Sequence, residues 1–184
     1  MTQARAAALN VLSLYALAGL LAAAFAAQVL LNELPCPLCL LQRVMFAMLA
    51  VGPILNLRFG VRPSHYAMSL LAAVAGAVVS TRQVLLHILP GDAGYGSAIF
   101  GYHYYSWALI AFIAAIVLLS TILLFDRQFE RPQAPPVSAG ILAPVAVWLV
   151  IGLAGLNVAS TLLECGFGAC ADNPVVYEML KHEG

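Results

Sequence analysis

Four cysteines carry the chemistry available to this sequence: Cys36 and Cys39 in Pro35-Cys36-Pro37-Leu38-Cys39, and Cys165 and Cys170 in Glu164-Cys165-Gly166-Phe167-Gly168-Ala169-Cys170. A Cys-x-x-Cys pair closes a disulfide that opens easily, and its thiolate is the nucleophile of disulfide exchange. The first pair stands at the expected start of a helix, where unpaired N–H groups and the helix dipole favour a thiolate. Pro37 falls where proline's missing N–H costs little. Arg43 lies four residues beyond Cys39, on the same helical face, and adds a positive charge. It has two readings, a cation that tunes the thiols or a snorkelling residue that anchors the helix end.

The second pair is five positions apart, with Gly166 and Gly168 permitting the tight turn that brings two thiols within bonding distance. A small exposed ring of this kind suits exchange, and a staple that orders the carboxyl-terminal tail is the other reading.

The elements that must position these residues are membrane helices. Of 184 residues, 63% are hydrophobic and 9% charged, against about 25% charged in a soluble domain. Five apolar runs reach the roughly 20 residues that cross a bilayer: Ala8 to Leu31, Leu40 to Leu57, Ser64 to Leu89, Tyr104 to Phe125 and Gly140 to Leu163. The first run is too long for the apolar core of a cleavable signal peptide. The expected fold is an all-α integral membrane protein, a four-helix transmembrane bundle over residues 1–125 plus a fifth transmembrane helix. A loop at 126–139 leads to that helix and to the Cys-containing tail at 140–184. With a net charge of zero, nothing points to nucleic acid.

Basic residues set the orientation. Arg5, Arg58, Arg62, Arg127 and Arg131 fall on the three segments that five alternating spans place on one side, and Lys181 falls on the other. The positive-inside rule then puts the amino terminus and the 126–139 loop in the cytoplasm and the tail across the membrane. In a bacterial inner membrane the far side is the periplasm, where disulfides persist. Four spans separate the two cysteine pairs, so both pairs share a face whichever way the chain is inserted.

Cys36-Pro37-Leu38-Cys39-Leu40-Leu41-Gln42-Arg43, at the membrane edge between the first two spans, resembles the signature of the DsbB family of quinone-linked thiol oxidases. The resemblance covers the first four spans, Val11 to Phe125. It implies a four-helix bundle whose Cys36/Cys39 disulfide passes electrons to a bound ubiquinone or menaquinone from the membrane quinone pool, with Arg43 beside the quinone. It also implies a second cysteine pair that accepts electrons from a periplasmic thioredoxin-like dithiol oxidase such as a DsbA-like protein. In familiar members that second pair occupies the loop between the third and fourth spans, but Pro90 to His103 contains no cysteine here. The chain reads as a divergent DsbB-like or DsbI-like subgroup, with Cys165 and Cys170 assigned to partner exchange by location alone.

Other polar residues are candidates for a quinone pocket. Arg82 is a second costly membrane cation and resembles an arginine the family carries in its third span. His87, near the same membrane edge, is either a hydrogen-bonding and proton-supplying group for a quinone or an interfacial residue. Gln28 is either a pocket residue or a helix–helix hydrogen bond. Tyr102, Tyr104, Tyr105 and Trp107 read as an aromatic interface belt. The expected function is a membrane thiol:quinone oxidoreductase supporting protein disulfide formation, with no metal. The contrasting reading is a four-thiol metal-binding assembly or handling factor without redox turnover.

Overall fold

The computed structural model describes residues 3–125, 129 and 140–181. Expectations resting on Arg127, Arg131 and the rest of the 126–139 loop lie outside the described residues, except for Phe129.

Helix α1 runs Gln3–Leu30, α2 Pro37–Leu49, α3 Val51–Phe59, α4 Pro63–Leu86, α5 Tyr104–Leu123 and α6 Leu142–Cys165. Helices α2 and α3 form one interrupted span, Pro37–Phe59, giving five apolar segments long enough to cross a membrane. The protein is an all-α, multi-pass membrane protein, as its apolar runs predict. Two boundaries differ in ways that matter. The third span ends at Leu86, so His87 is a helix cap, and the fifth extends to Cys165, which lies in the last helical turn rather than beyond it.

The interruption of the second span follows from Pro53, whose ring nitrogen cannot donate to the Leu49 carbonyl. The Ser69 hydroxyl of α4 donates to that carbonyl instead, at 2.8 Å, so no backbone acceptor is orphaned in an apolar setting. The approach requires Gly52, where an added Cβ would meet Ser69 Oγ at 2.2 Å and the His65 carbonyl oxygen at 2.3 Å.

Leu14, Leu17 and Leu21 of α1 join Phe46 and Leu49 of α2, Tyr66 and Ala73 of α4 and Phe112 of α5 in one core. Phe46 and Phe112 stack with centroids 4.1 Å apart. Helix α6 packs along α1 and is tied to it at both ends: the Tyr15 hydroxyl donates to the Leu142 carbonyl at 3.1 Å, and the Gln28 amide donates to Ser160 Oγ at 2.6 Å. Its other face exposes Trp148, Leu149 and Leu156, apolar surface suited to lipid.

Between α4 and α5 the chain forms a small ribbon of β1 (Ala98–Ile99) and β2 (Tyr102–His103), paired Ala98 with His103 and Ile99 with Tyr102. Phe100 and Gly101 turn it with φ of 52° and 82°, the two positive values of a type I′ hairpin. Tyr95 donates to the Leu34 carbonyl and Ser97 to Glu33, which fastens this loop to the α1–α2 connection.

Candidate functional site

Proline at the first helical position and an extended residue before it start α2 at Pro37, leaving Cys36 as the N-cap. The Cys36 sulfur accepts the Cys39 backbone N–H at 3.2 Å, so the spacing of the motif is itself the capping geometry. Both thiols are free. Cys36 is buried, and its thiol is pushed up from its ordinary range by its hydrogen bond with Cys39, by burial and by the neighbouring Cys39 charge. It holds its proton where the N-terminal position alone would favour a thiolate.

The residue that holds both sulfurs is Gln83, 1% exposed on α4. Its amide nitrogen donates to Cys36 Sγ at 3.1 Å and to Cys39 Sγ at 3.3 Å. Gln42 Nε2 donates to Gln83 Oε1 at 2.9 Å, fixing the amide's orientation. Gln42 sits within the motif, whereas Gln83 is a site residue that sequence reasoning missed, although a buried glutamine in an apolar span is a costly group. Its neighbour Arg82 lies on the outer face of α4, in a groove lined by Val78, Leu85 and Ile116. The fold does not bring it to the thiols, because successive helical residues point about 100° apart.

Arg43 is buried, 9% exposed. Its guanidinium donates to Gln28 Oε1 at 2.7 Å, Asn157 Oδ1 at 3.2 Å and the Ala24 carbonyl at 2.8 Å. Every one of these acceptors is neutral, so among the described residues the positive charge is oriented without a direct carboxylate partner. Gln28 then reaches Ser160 and, at 3.0 Å, the Tyr177 hydroxyl of the tail. It is a helix–helix hydrogen bond and a support for Arg43 at once. Asn157, Ser160 and Glu164 fall three and four residues apart on α6, one stripe of a helix; that polar stripe in the fifth span was legible and went unread.

Cys39, Gln42 and Arg43 line a groove of about 790 Å³ whose other walls are largely apolar, including Leu21, Ala24, Phe46 and Ala108. Tyr95, Phe100 and Tyr105 close its end near the hairpin. Tyr104, Tyr105 and Trp107 thus face the groove, while Tyr102 packs edge-on against Trp107. His87 is set apart from the thiols: it pairs with Asp92 at 3.0 Å and stacks on Tyr105, which also stacks on His103. The Gly94 N–H and His87 together pull the Asp92 carboxyl below its usual range.

Cys165 and Cys170 are disulfide-bonded, with Cα atoms 4.6 Å apart. Gly166 caps α6 at φ 62°, the turn the glycine was expected to supply. The ring is exposed at Phe167, Gly168 and Ala169, as expected, while Cys165 itself is only 7% exposed, because its place in the last helical turn buries it. Among the described residues no three His, Cys, Asp or Glu side chains converge as metal ligands, so the four thiols do not form one ligand set.

The family described as Disulfide bond formation protein DsbB matches residues 6–97. Disulfide bond formation protein B of Xanthomonas axonopodis pv. citri is 40% identical over 86 residues, covering 44% of this chain and 50% of the relative. The protein of the same description from Chromobacterium violaceum is 41% identical over 83 residues, 42% of this chain and 49% of the relative. The chain spans about half the length of the curated relatives it matches. No solved structure matches it. The matched region holds Cys36, Cys39, Arg43 and Gln83; α5, α6 and the second cysteine pair lie beyond it.

Proposed function

Because the chain belongs to the DsbB family, we propose that it is a membrane thiol:quinone oxidoreductase that supports protein disulfide formation. Electrons from a periplasmic thioredoxin-like dithiol partner enter at Cys165–Cys170, pass by exchange to Cys36/Cys39 and leave to ubiquinone or menaquinone. In this reading the cysteine-bearing end of the bundle faces the periplasm of a bacterial inner membrane.

The observation that carries the reading is the opening of Cys39 and Arg43 into one largely apolar groove of about 790 Å³. Its size, its apolar walls and the few polar groups at one end fit an isoprenoid quinone head. A bound quinone supplies the two-electron, two-proton acceptor. The chain's own residues do the rest. Gln83 holds both sulfurs in place and donates to whichever becomes a thiolate. The Cys36 thiol, held protonated, is the sulfur that keeps its proton while Cys39 faces the groove. Arg43, supported by neutral acceptors, presents positive charge where negative charge develops. Arg82, outside this groove, and His87, paired with Asp92, have no part in it.

A second reading concerns only the tail: the burial of Cys165, 7% exposed, suits a staple that orders it. One experiment separates them. As a shuttle, Cys165→Ser blocks turnover with a protein dithiol while sparing electron entry from dithiothreitol; unchanged turnover with both donors makes the ring a staple.

A further inference from the structure

Helix α6 carries one group that neither cysteine pair nor the groove accounts for. Glu164 precedes Cys165 in the last turn of α6 and is 2% exposed. Neither carboxylate oxygen has a hydrogen-bond partner among the described residues. An unpartnered buried carboxylate is expensive, and at an exposed helix end a glutamate would simply turn to water. Here the stripe Asn157, Ser160, Glu164 keeps it inward, on the side where Asn157 and Ser160 bind Arg43 and Gln28.

The titratable and charged groups facing this end of α6 come from every neighbouring element. Helix α2 contributes Arg43 and Cys39, both within electrostatic range of Glu164. Cys36 lies beside Cys39. The α4–α5 loop contributes Tyr95, which is within electrostatic range of Glu164, of Glu33 in the α1–α2 connection and of both thiols. The tail contributes Tyr177, close to Arg43, and the exposed Glu178–Lys181 ion pair beside α6, and α1 contributes the uncharged Gln28.

We propose that Glu164 carries the proton of the internal disulfide exchange, taking it from the attacking thiol of the Cys165/Cys170 pair and returning it to the sulfur released from the Cys36/Cys39 pair. The step balances without outside reagents. One thiol of the tail pair loses its proton to the Glu164 carboxylate and attacks the Cys36–Cys39 disulfide, forming a mixed disulfide and releasing one thiolate. That thiolate takes the proton back from Glu164; the second tail thiol then gives its own proton to the carboxylate and displaces the remaining sulfur of that pair, which takes this second proton in turn. The Cys36–Cys39 bond is broken, the Cys165–Cys170 bond is formed, two electrons have moved to Cys36/Cys39, and Glu164 has returned each proton. At 2% exposure the site has little access to bulk water as the carrier, and a fixed carboxylate replaces it.

The proposal rests on the relay reading of the tail pair, and its test keeps the two apart. The full chain, fully oxidised in detergent, is mixed with dithiothreitol, quenched with acid, alkylated and mapped by mass spectrometry from pH 5.5 to 8.5. Direct reduction of Cys36–Cys39 is measured in the Cys165→Ser/Cys170→Ser background and subtracted. Glu164→Gln should slow transfer at pH 6 by about 100-fold, with the deficit shrinking toward pH 8.5 as the thiol ionises unaided. Glu164→Asp should lie between, and it carries the test through its pH profile if Glu164→Gln fails to form the Cys165–Cys170 bond. A Glu164→Gln profile that overlays the wild type overturns the proton role and leaves the relay standing. Wild-type transfer no faster than the double-serine background overturns the relay, and the proposal with it.

Discussion

Replacing Gln83 by leucine tests the grip on the two sulfurs at nearly constant volume. The amide nitrogen lies 3.1 and 3.3 Å from Cys36 and Cys39, so each of its hydrogens serves one sulfur. When either sulfur ionises, one of these bonds becomes charge-assisted, worth about 1.5–3 kcal/mol. Its loss should lower the reaction rate of the dithiol by about 10- to 100-fold, since about 1.4 kcal/mol is tenfold. The Gln42 amide, 6% exposed, loses its acceptor at the same time. That costs about 1–3 kcal/mol in stability, so rates must be compared on folded protein. The assay is pseudo-first-order alkylation at pH 7 by a neutral maleimide, with the Cys165–Cys170 bond intact so that only Cys36 and Cys39 report. Gln42→Leu, which disturbs the orientation of the Gln83 amide but keeps its N–H donors, should lose less than Gln83→Leu. Alkylation of Gln83→Leu at the wild-type rate would refute the claim that this amide stabilises the reactive sulfur.

The two thiols should also differ from each other. Cys36 is 6% exposed and held protonated, whereas Cys39 lines the groove, so peptide mapping after partial alkylation should find Cys39 modified first; Cys36 labelled first contradicts that assignment. Gly52→Ala places a Cβ 2.3 Å from the His65 carbonyl oxygen, a backbone atom that cannot move aside cheaply. It should cost about 1–3 kcal/mol, read as a lower unfolding temperature in detergent, and an unchanged temperature would mean that α3 and α4 are not packed this closely.

The spans were legible because bilayer crossing demands long apolar runs, and each run became a helical span, the second broken into α2 and α3. The motif around Cys36 was legible because proline after an extended residue starts a helix, with the cysteine left as its cap. Gln83 was hidden for a geometric reason. From sequence, Arg82 is the more conspicuous residue, but adjacent helical positions face different ways, and only tertiary packing shows which of the two meets α2. Arg43 was found, yet its supports came from α1 and α6, 15 and 114 residues away in sequence. The fifth span looked like an appendage. Its Asn157, Ser160 and Glu164 stripe makes it part of the site, a pattern readable at helical spacing once the span is treated as a face rather than as a hydrophobic average.

In the proposed relay, thiol electrons leave through Cys39 into the groove it shares with Arg43. The most direct measurement follows quinone absorbance after dithiothreitol is added to purified protein, comparing wild type with Cys39→Ser. The wild type should reduce the quinone, and Cys39→Ser should fall to the rate of dithiothreitol and quinone alone. Full quinone-linked activity in Cys39→Ser would contradict it.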